Sequence, residues 1–127
     1  MLRLKEKKVL ITGATGGIGS AMAKRMAKQG ADLVLSGTKK DSLETLSSEI
    51  GDNCYSFAAD LAKKEEIKNL VIWAIEKMGG IDILVNNAGI TRDNLSIRMS
   101  DEDWDDVINV NLTASFLLSR DCLKVML

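Results

Sequence analysis

Short apolar runs alternate along the chain with longer segments whose apolar positions recur at helical spacing. Residues 8–12 read as a first strand built on Val9-Leu10-Ile11. Residues 17–29 follow as a helix, with Ile18, Met22 and Met26 on one face and Gly30 as its stop. Residues 31–36 form a second strand, apolar enough through Leu33-Val34-Leu35 to be covered on both faces. Asp41-Ser42-Leu43-Glu44 has the form of a capping box opening a second helix, in which Leu43, Leu46 and Ile50 share a face and Gly51 ends it. Residues 53–59 are the third strand, with Tyr55 and Phe57 pointing one way. The third helix is the clearest periodic segment: Ile67, Leu70, Val71, Ala74, Ile75 and Met78 recur at helical spacing before Gly79-Gly80. Residues 81–85 are the fourth strand. Ser100-Asp101-Glu102-Asp103 caps a long last helix that begins near Trp104 and runs toward Leu127.

Strands alternating with helices predict an α/β fold with a parallel sheet covered on both faces. Right-handed crossovers through this series give the strand order 3-2-1-4, half of a doubly wound, Rossmann-like sheet. Residues 1–127 carry no repeat, low-complexity tract or interdomain linker, so they read as part of one domain.

Composition narrows the function classes. The chain has 127 residues, 46% of them hydrophobic, and a net charge of −1. It has no basic tract, which argues against nucleic acid as a partner, and no apolar run long enough to span a membrane. Met1-Leu2-Arg3-Leu4-Lys5 is no signal peptide. Cys54 and Cys122 are far apart and lack metal-ligand spacing, and they read as reduced thiols of a cytoplasmic protein. With no histidine in the chain, zinc sites and Ser-His or Cys-His catalysis are excluded.

The candidate chemistry begins at Thr12-Gly13-Ala14-Thr15-Gly16-Gly17-Ile18-Gly19. A strand, a glycine-dense turn and a helix in this order make a phosphate cradle. Glycines admit a close backbone approach, and the helix start turns its N–H groups toward an anion. The spacing is not Gly-x-Gly-x-x-Gly. It fits Gly13-x-x-x-Gly17-x-Gly19 and Gly13-x-x-Gly16-x-x-Gly19 equally well. The fourth strand ends in Asn86-Asn87-Ala88-Gly89, which a parallel sheet brings beside the glycine turn at its ligand-binding edge.

Together with Asp60-Leu61 after the third strand, these motifs resemble the classical short-chain dehydrogenase/reductase family, whose glycine spacing is the first of the two. Asn86 through Leu95 (Asn-Asn-Ala-Gly-Ile-Thr-Arg-Asp-Asn-Leu), then Arg98-Met99 and Trp104, are similar to the bacterial 3-oxoacyl-acyl carrier protein reductases within it. The resemblance implies NADPH-dependent reduction of a 3-oxoacyl thioester in fatty-acid synthesis. Gly13, Ala14, Thr15 and Gly16 would wrap the pyrophosphate and adenosine ribose. Gly17 and Gly19, flanking Ile18, would keep backbone and helix close. Asp60 and Leu61 would border the adenine, and Asn87, Ala88 and Gly89 would line the path to the nicotinamide ribose. Asn111 matches the family's catalytic Asn, which distorts its helix and holds a water through its backbone carbonyl. By spacing alone, Asn109 competes with it, and Asn111 reads as a solvent-facing helix residue. The family's last helix helps form an oligomer interface.

An acid at the end of the second strand would grip the ribose 2′-hydroxyl of NAD. Here that end reads Ser36-Gly37-Thr38-Lys39-Lys40, with no carboxylate before Asp41. Hydroxyls and lysines suit an anionic 2′-phosphate, so NADP(H) is favoured over NAD(H), with Thr38 and Lys39 as its readers. Gly16 stands where many NADP-using relatives place a basic residue, and Lys39 and Lys40 also fit a plain solvated helix start.

The family's reaction needs a Tyr with a Lys four residues later to lower its pKa. The only tyrosine is Tyr55, and four residues on stands Ala59. The chain therefore reads as the amino-terminal, cofactor-binding half of a reductase, inactive alone. Two alternatives remain open: a reductase of acetoacetyl-coenzyme A type, and a non-catalytic nucleotide-binding or interaction module.

Overall fold

A computed structural model describes residues 4–89 and 96–127. Its four strands are β1 (Lys8–Ile11), β2 (Asp32–Gly37), β3 (Cys54–Ala58) and β4 (Ile83–Val85), and they form one sheet in the order β3-β2-β1-β4. Every pairing is parallel, with Leu10 opposite both Val34 and Leu84, and Ser36 opposite Phe57. The expected α/β class and strand order are those observed. Between the strands run α1 (Gly17–Lys28), α2 (Lys40–Ile50) and α3 (Lys64–Met78). After a short turn, Ser96–Arg98, come α4 (Asp101–Ile108) and α5 (Ala114–Met126), joined by the π-turn Asn109–Thr113.

Alternation along the strands builds two cores. Val9, Ile11, Leu33 and Leu35 pack with Ala23, Leu43 and Leu46 under α1 and α2. Leu10 and Val34 face the other way, into Ile67, Leu70, Ala74, Leu118 and Cys122 of α3 and α5. Tyr55 and Phe57 both lie against this second core, and Phe57 meets Trp73 at a centroid distance of 4.9 Å. Cys54 and Cys122 are free and buried. β4 pairs with β1 alone among the described strands, so one of its edges carries no strand there.

Four local readings need correction. The buried face of α1 is Gly19 and Ala23, while Ile18 is 72% exposed, because small residues let α1 lie close on the sheet. The Asp41 capping box does not form: α2 starts at Lys40, with Lys39 at its N-cap and no side-chain cap. Asp41 instead sits in the first turn, where a negative charge meets the positive helix end. The last helix begins at Asp101, earlier than Trp104, because the Ser100 hydroxyl accepts from the Asp103 amide. It is also interrupted by the π-turn that contains Asn111.

Candidate functional site

The carboxyl ends of the strands open into a cleft of about 680 Å³. Gly13, Thr15, Gly16, Gly17 and Ile18 form one wall, and Gly37 and Thr38 continue it from β2. Asp60, Leu61, Asn87, Ala88 and Gly89 line the opposite side. Eleven of the fifteen sequence-predicted site residues are therefore brought together around one space. Of the others, Lys39 is exposed outside the lining, and Ala14 and Gly19 are buried behind it. Asn111, the catalytic candidate, stands just behind Gly89: a Cβ on that glycine would lie 3.1 Å from its Oδ1.

A web of hydrogen bonds locks the two halves of the cleft. The Thr12 hydroxyl, buried at the end of β1, accepts from the amides of Asn87 (3.1 Å) and Ala88 (3.0 Å) and donates to the Val85 carbonyl (3.3 Å). The Asn87 side-chain amide donates to the Gly13 carbonyl at 3.1 Å. Asn86 reaches outward instead and donates to the Ser119 hydroxyl on α5 at 3.1 Å. The first Asn of the pair thus holds a helix, and the second holds the glycine turn.

Two glycines are demanded by this contact. Gly13 has φ +62°, and a Cβ there would stand 2.9 Å from the Ala88 Cα. A Cβ on Gly19 would collide with the Gly13 carbonyl and come within 2.9 Å of the Ala14 Cα. Gly17 differs from the expectation, because a Cβ there meets nothing within 4 Å. Only Gly19 keeps backbone and helix close; Gly17 leaves space on the cleft side. No side chain caps α1, and its first turn holds no acid. An anion at the start of α1 therefore meets amide groups with no acid of that helix's first turn beside them.

Asp60 is held by its surroundings: its side chain accepts from the Ala62 amide (3.0 Å), and its own amide donates to Glu66 (2.9 Å). The π-turn displaces the helix at Asn111, whose carbonyl accepts from the Ser115 hydroxyl at 3.2 Å. Ala59, Ala62, Asp106 and Val110 also line the cleft and escaped the sequence reading. The four-residue step from Asp106 to Val110 puts both on one helix face beside Asn111, a signal that was available. Ser36, a hydroxyl at the strand end in sequence, is only 1% exposed, so the exposed hydroxyl at the rim is that of Thr38. The motif residues 90–95 lie outside the described residues. Among the described residues, no group of three or more His, Cys, Asp or Glu is placed to hold a metal, and no helix is long and apolar enough to cross a membrane.

The family model for short chain dehydrogenases matches residues 7–127. The chain belongs to that family. Among curated relatives, a nodulation protein G from a Rhizobium species is 50% identical over 127 residues, covering 100% of this chain and 52% of the relative. A 3-oxoacyl-[acyl-carrier-protein] reductase from Rickettsia conorii is 46% identical and is matched over 51% of its length by the whole of this chain. The chain thus spans about half the length of these relatives. Among solved structures of the family, a 3-ketoacyl-(acyl-carrier-protein) reductase from Brucella melitensis, complexed with NADH, superposes with a TM-score of 0.91 at 38% identity. That match covers 96% of this chain and 50% of the other. A short chain dehydrogenase from Burkholderia cenocepacia in complex with NADP gives 0.94 at 35% identity, over 98% and 53%. Of these two structures, one holds NADH and the other NADP.

Proposed function

We propose that this chain is the cofactor-binding half of an NADP(H)-dependent reductase that converts a 3-oxoacyl group on acyl carrier protein to the 3-hydroxyacyl form. The observation that carries the reading is the meeting of the glycine turn with residues 87–89 across one cleft at the carboxyl rim of a parallel sheet, fastened by Thr12 and Asn87. The cradle suits a dinucleotide diphosphate, since the wall at Gly16 and Gly17 is open and free of carboxylates. When bound, the nicotinamide supplies the hydride. The chain's own residues bind and orient: Gly13, Ala14, Thr15, Gly16, Ile18 and Gly19 shape the diphosphate side, Asp60 and Leu61 border the purine, and Asn87, Ala88 and Gly89 line the approach to the reacting end. Asn111 contributes its displaced backbone carbonyl, able to accept from a water beside the Ser115 hydroxyl.

NADP(H) is preferred over NAD(H) on this reading, because β2 ends without an acid and leaves Thr38 at the rim, with Lys39 beyond it. The proton-donating Tyr and its Lys partner come from protein outside these residues, since Tyr55 lies on β3 against the second core. Self-association through the last helix fits its exposed Phe116 and Leu123. Two buried free thiols suit a reducing, cytoplasmic compartment. Equilibrium binding of NADPH and NADH to the chain tests the cofactor reading. Tighter NADPH binding supports it, and binding of neither nucleotide at millimolar concentration removes it. Turnover of a 3-oxoacyl-acyl carrier protein against its coenzyme A thioester, by the full-length protein, tests the substrate.

A further inference from the structure

Among the described residues, one buried side-chain oxygen has no hydrogen-bond partner: Oγ of Ser36. Its position is specific. Ser36 is 1% exposed and lines the cleft near the end of β2. Its backbone is committed, since its carbonyl accepts from the Ala14 amide at 3.0 Å. Strand alternation puts the side chain in phase with Val34, on the sheet face of the second core, and out of phase with Leu33 and Leu35. On that same face lie Ala59 and Leu61, which continue from β3 and border the cleft. The hydroxyl therefore belongs to the floor of the cleft, below the rim where Thr38 is exposed.

A buried hydroxyl without a partner is destabilising relative to one that is bonded. Alanine would fill most of the same space without that cost, so a serine here points to a partner that arrives with the ligand. We propose that Ser36 is a binding residue for the purine ring of the nucleotide, its hydroxyl bonding the polar edge of the base directly or across one trapped water. The reading of the cleft as a dinucleotide site underlies this assignment. It separates two duties at the end of β2: Ser36 meets the base from below, and Thr38 faces the ribose and its 2′ substituent at the rim.

The test is a pair of measurements on Ser36→Ala and the unchanged chain. The first is thermal unfolding without ligand, in which Ser36→Ala melts at the same or a higher temperature because no bond is lost. The second is equilibrium binding of NADPH, 5′-AMP and nicotinamide mononucleotide. Ser36→Ala weakens NADPH and AMP by about fivefold to tenfold, within the range of one hydrogen bond, and leaves nicotinamide mononucleotide unchanged. Thr38→Val gives the converse pattern, with NADPH weakened and AMP little altered. A Ser36→Ala chain that melts clearly lower without ligand overturns the proposal, since the hydroxyl then has a partner inside the protein. Unchanged AMP and NADPH affinity in Ser36→Ala, with the unchanged chain binding both, overturns it while leaving the cofactor reading intact. Failure of the unchanged chain to bind any nucleotide overturns both.

Discussion

Asn111 lies against Gly89 so closely that a single added carbon on the glycine would sit 3.1 Å from the asparagine Oδ1. The π-turn that displaces Asn111 from regular helix and the loop leaving β4 thus meet at a residue without a side chain. Gly89→Ala forces the Asn111 side chain to shift by a few tenths of an ångström. The two positions are therefore coupled. Gly89→Ala should cost more in the unchanged background than in Asn111→Ala, with an interaction energy of about 0.5 kcal/mol or more in a urea-unfolding cycle. Strictly additive effects would show that the contact carries no energy.

The glycine turn gives a sharper contrast. Gly19→Ala drives a methyl group into the Gly13 carbonyl and to within 2.9 Å of the Ala14 backbone, and it should cost about 3 kcal/mol or more, because backbone cannot move aside as a side chain can. Gly17→Ala meets nothing within 4 Å and should leave the melting temperature level or slightly raised, since alanine loses less chain entropy than glycine in a helix. Circular dichroism melts of the two variants decide this. Equal damage in both would mean that the turn does not pack as described.

Much of this was legible in the sequence, and the parts that were not have a common cause. Strand order followed from alternation and handedness, which depend on periodicity over many residues. Asn86-Asn87-Ala88-Gly89 could be placed opposite Gly13 because a parallel sheet brings strand ends together. Single-residue placements were less legible. Ser36 reads in one dimension as a strand-end hydroxyl, and only its phase with Val34 buries it. Ile18 fits the apolar stripe of α1, yet Gly19 and Ala23 make the close approach and turn it toward the cleft. Asp41 and Glu44 match a capping box, but the chain enters α2 two residues earlier, with Lys39 rather than Asp41 at the N-cap, so the pattern starts inside the first turn. Shifts of one or two residues at helix ends are the least legible feature of a sequence pattern.

Thr12 should be the most sensitive polar residue of the site. Its hydroxyl serves three backbone groups in a place 1% exposed. Thr12→Val keeps the shape but strands the amides of Asn87 and Ala88, and it should cost about 2–4 kcal/mol. Thr12→Ser keeps the hydroxyl and should cost about 1 kcal/mol for the lost methyl. Urea midpoints measure both. A valine variant as stable as the serine variant would show that the loop amides find other partners.

Cys122 makes stability depend on pH at the alkaline end. Burial, with the neighbouring Asp121 charge adding to it, raises the thiol from its ordinary 9.0 to about 11. The folded state therefore holds this proton more tightly than the unfolded chain does. Its contribution is complete below about pH 9 and is lost as pH climbs toward about 11. Burial raises Cys54 as well, which adds in the same direction. Urea midpoints should fall between these two pH values, and Cys122→Val should flatten part of that fall. A slope identical in the variant would assign the effect elsewhere.

The last helix predicts association. α5 turns Ala114, Leu118 and Cys122 inward, into the core it shares with α3. Its outer side leaves Phe116 61% and Leu123 52% exposed, with Leu112 of the π-turn at 62% a turn before. These positions recur at four and seven residues, so they form a continuous apolar face rather than scattered contacts. The Arg120 guanidinium sits 5.8 Å from the Phe116 ring centre and offers a charged margin that could meet an acid on a second copy. Sedimentation of the chain at tens of micromolar should show a species larger than the monomer. Phe116→Arg puts a cation where two such faces would meet and should return the chain to monomer at little cost in melting temperature, because the residue buries little within one copy. A monomer in both cases would take the face out of any self-assembly.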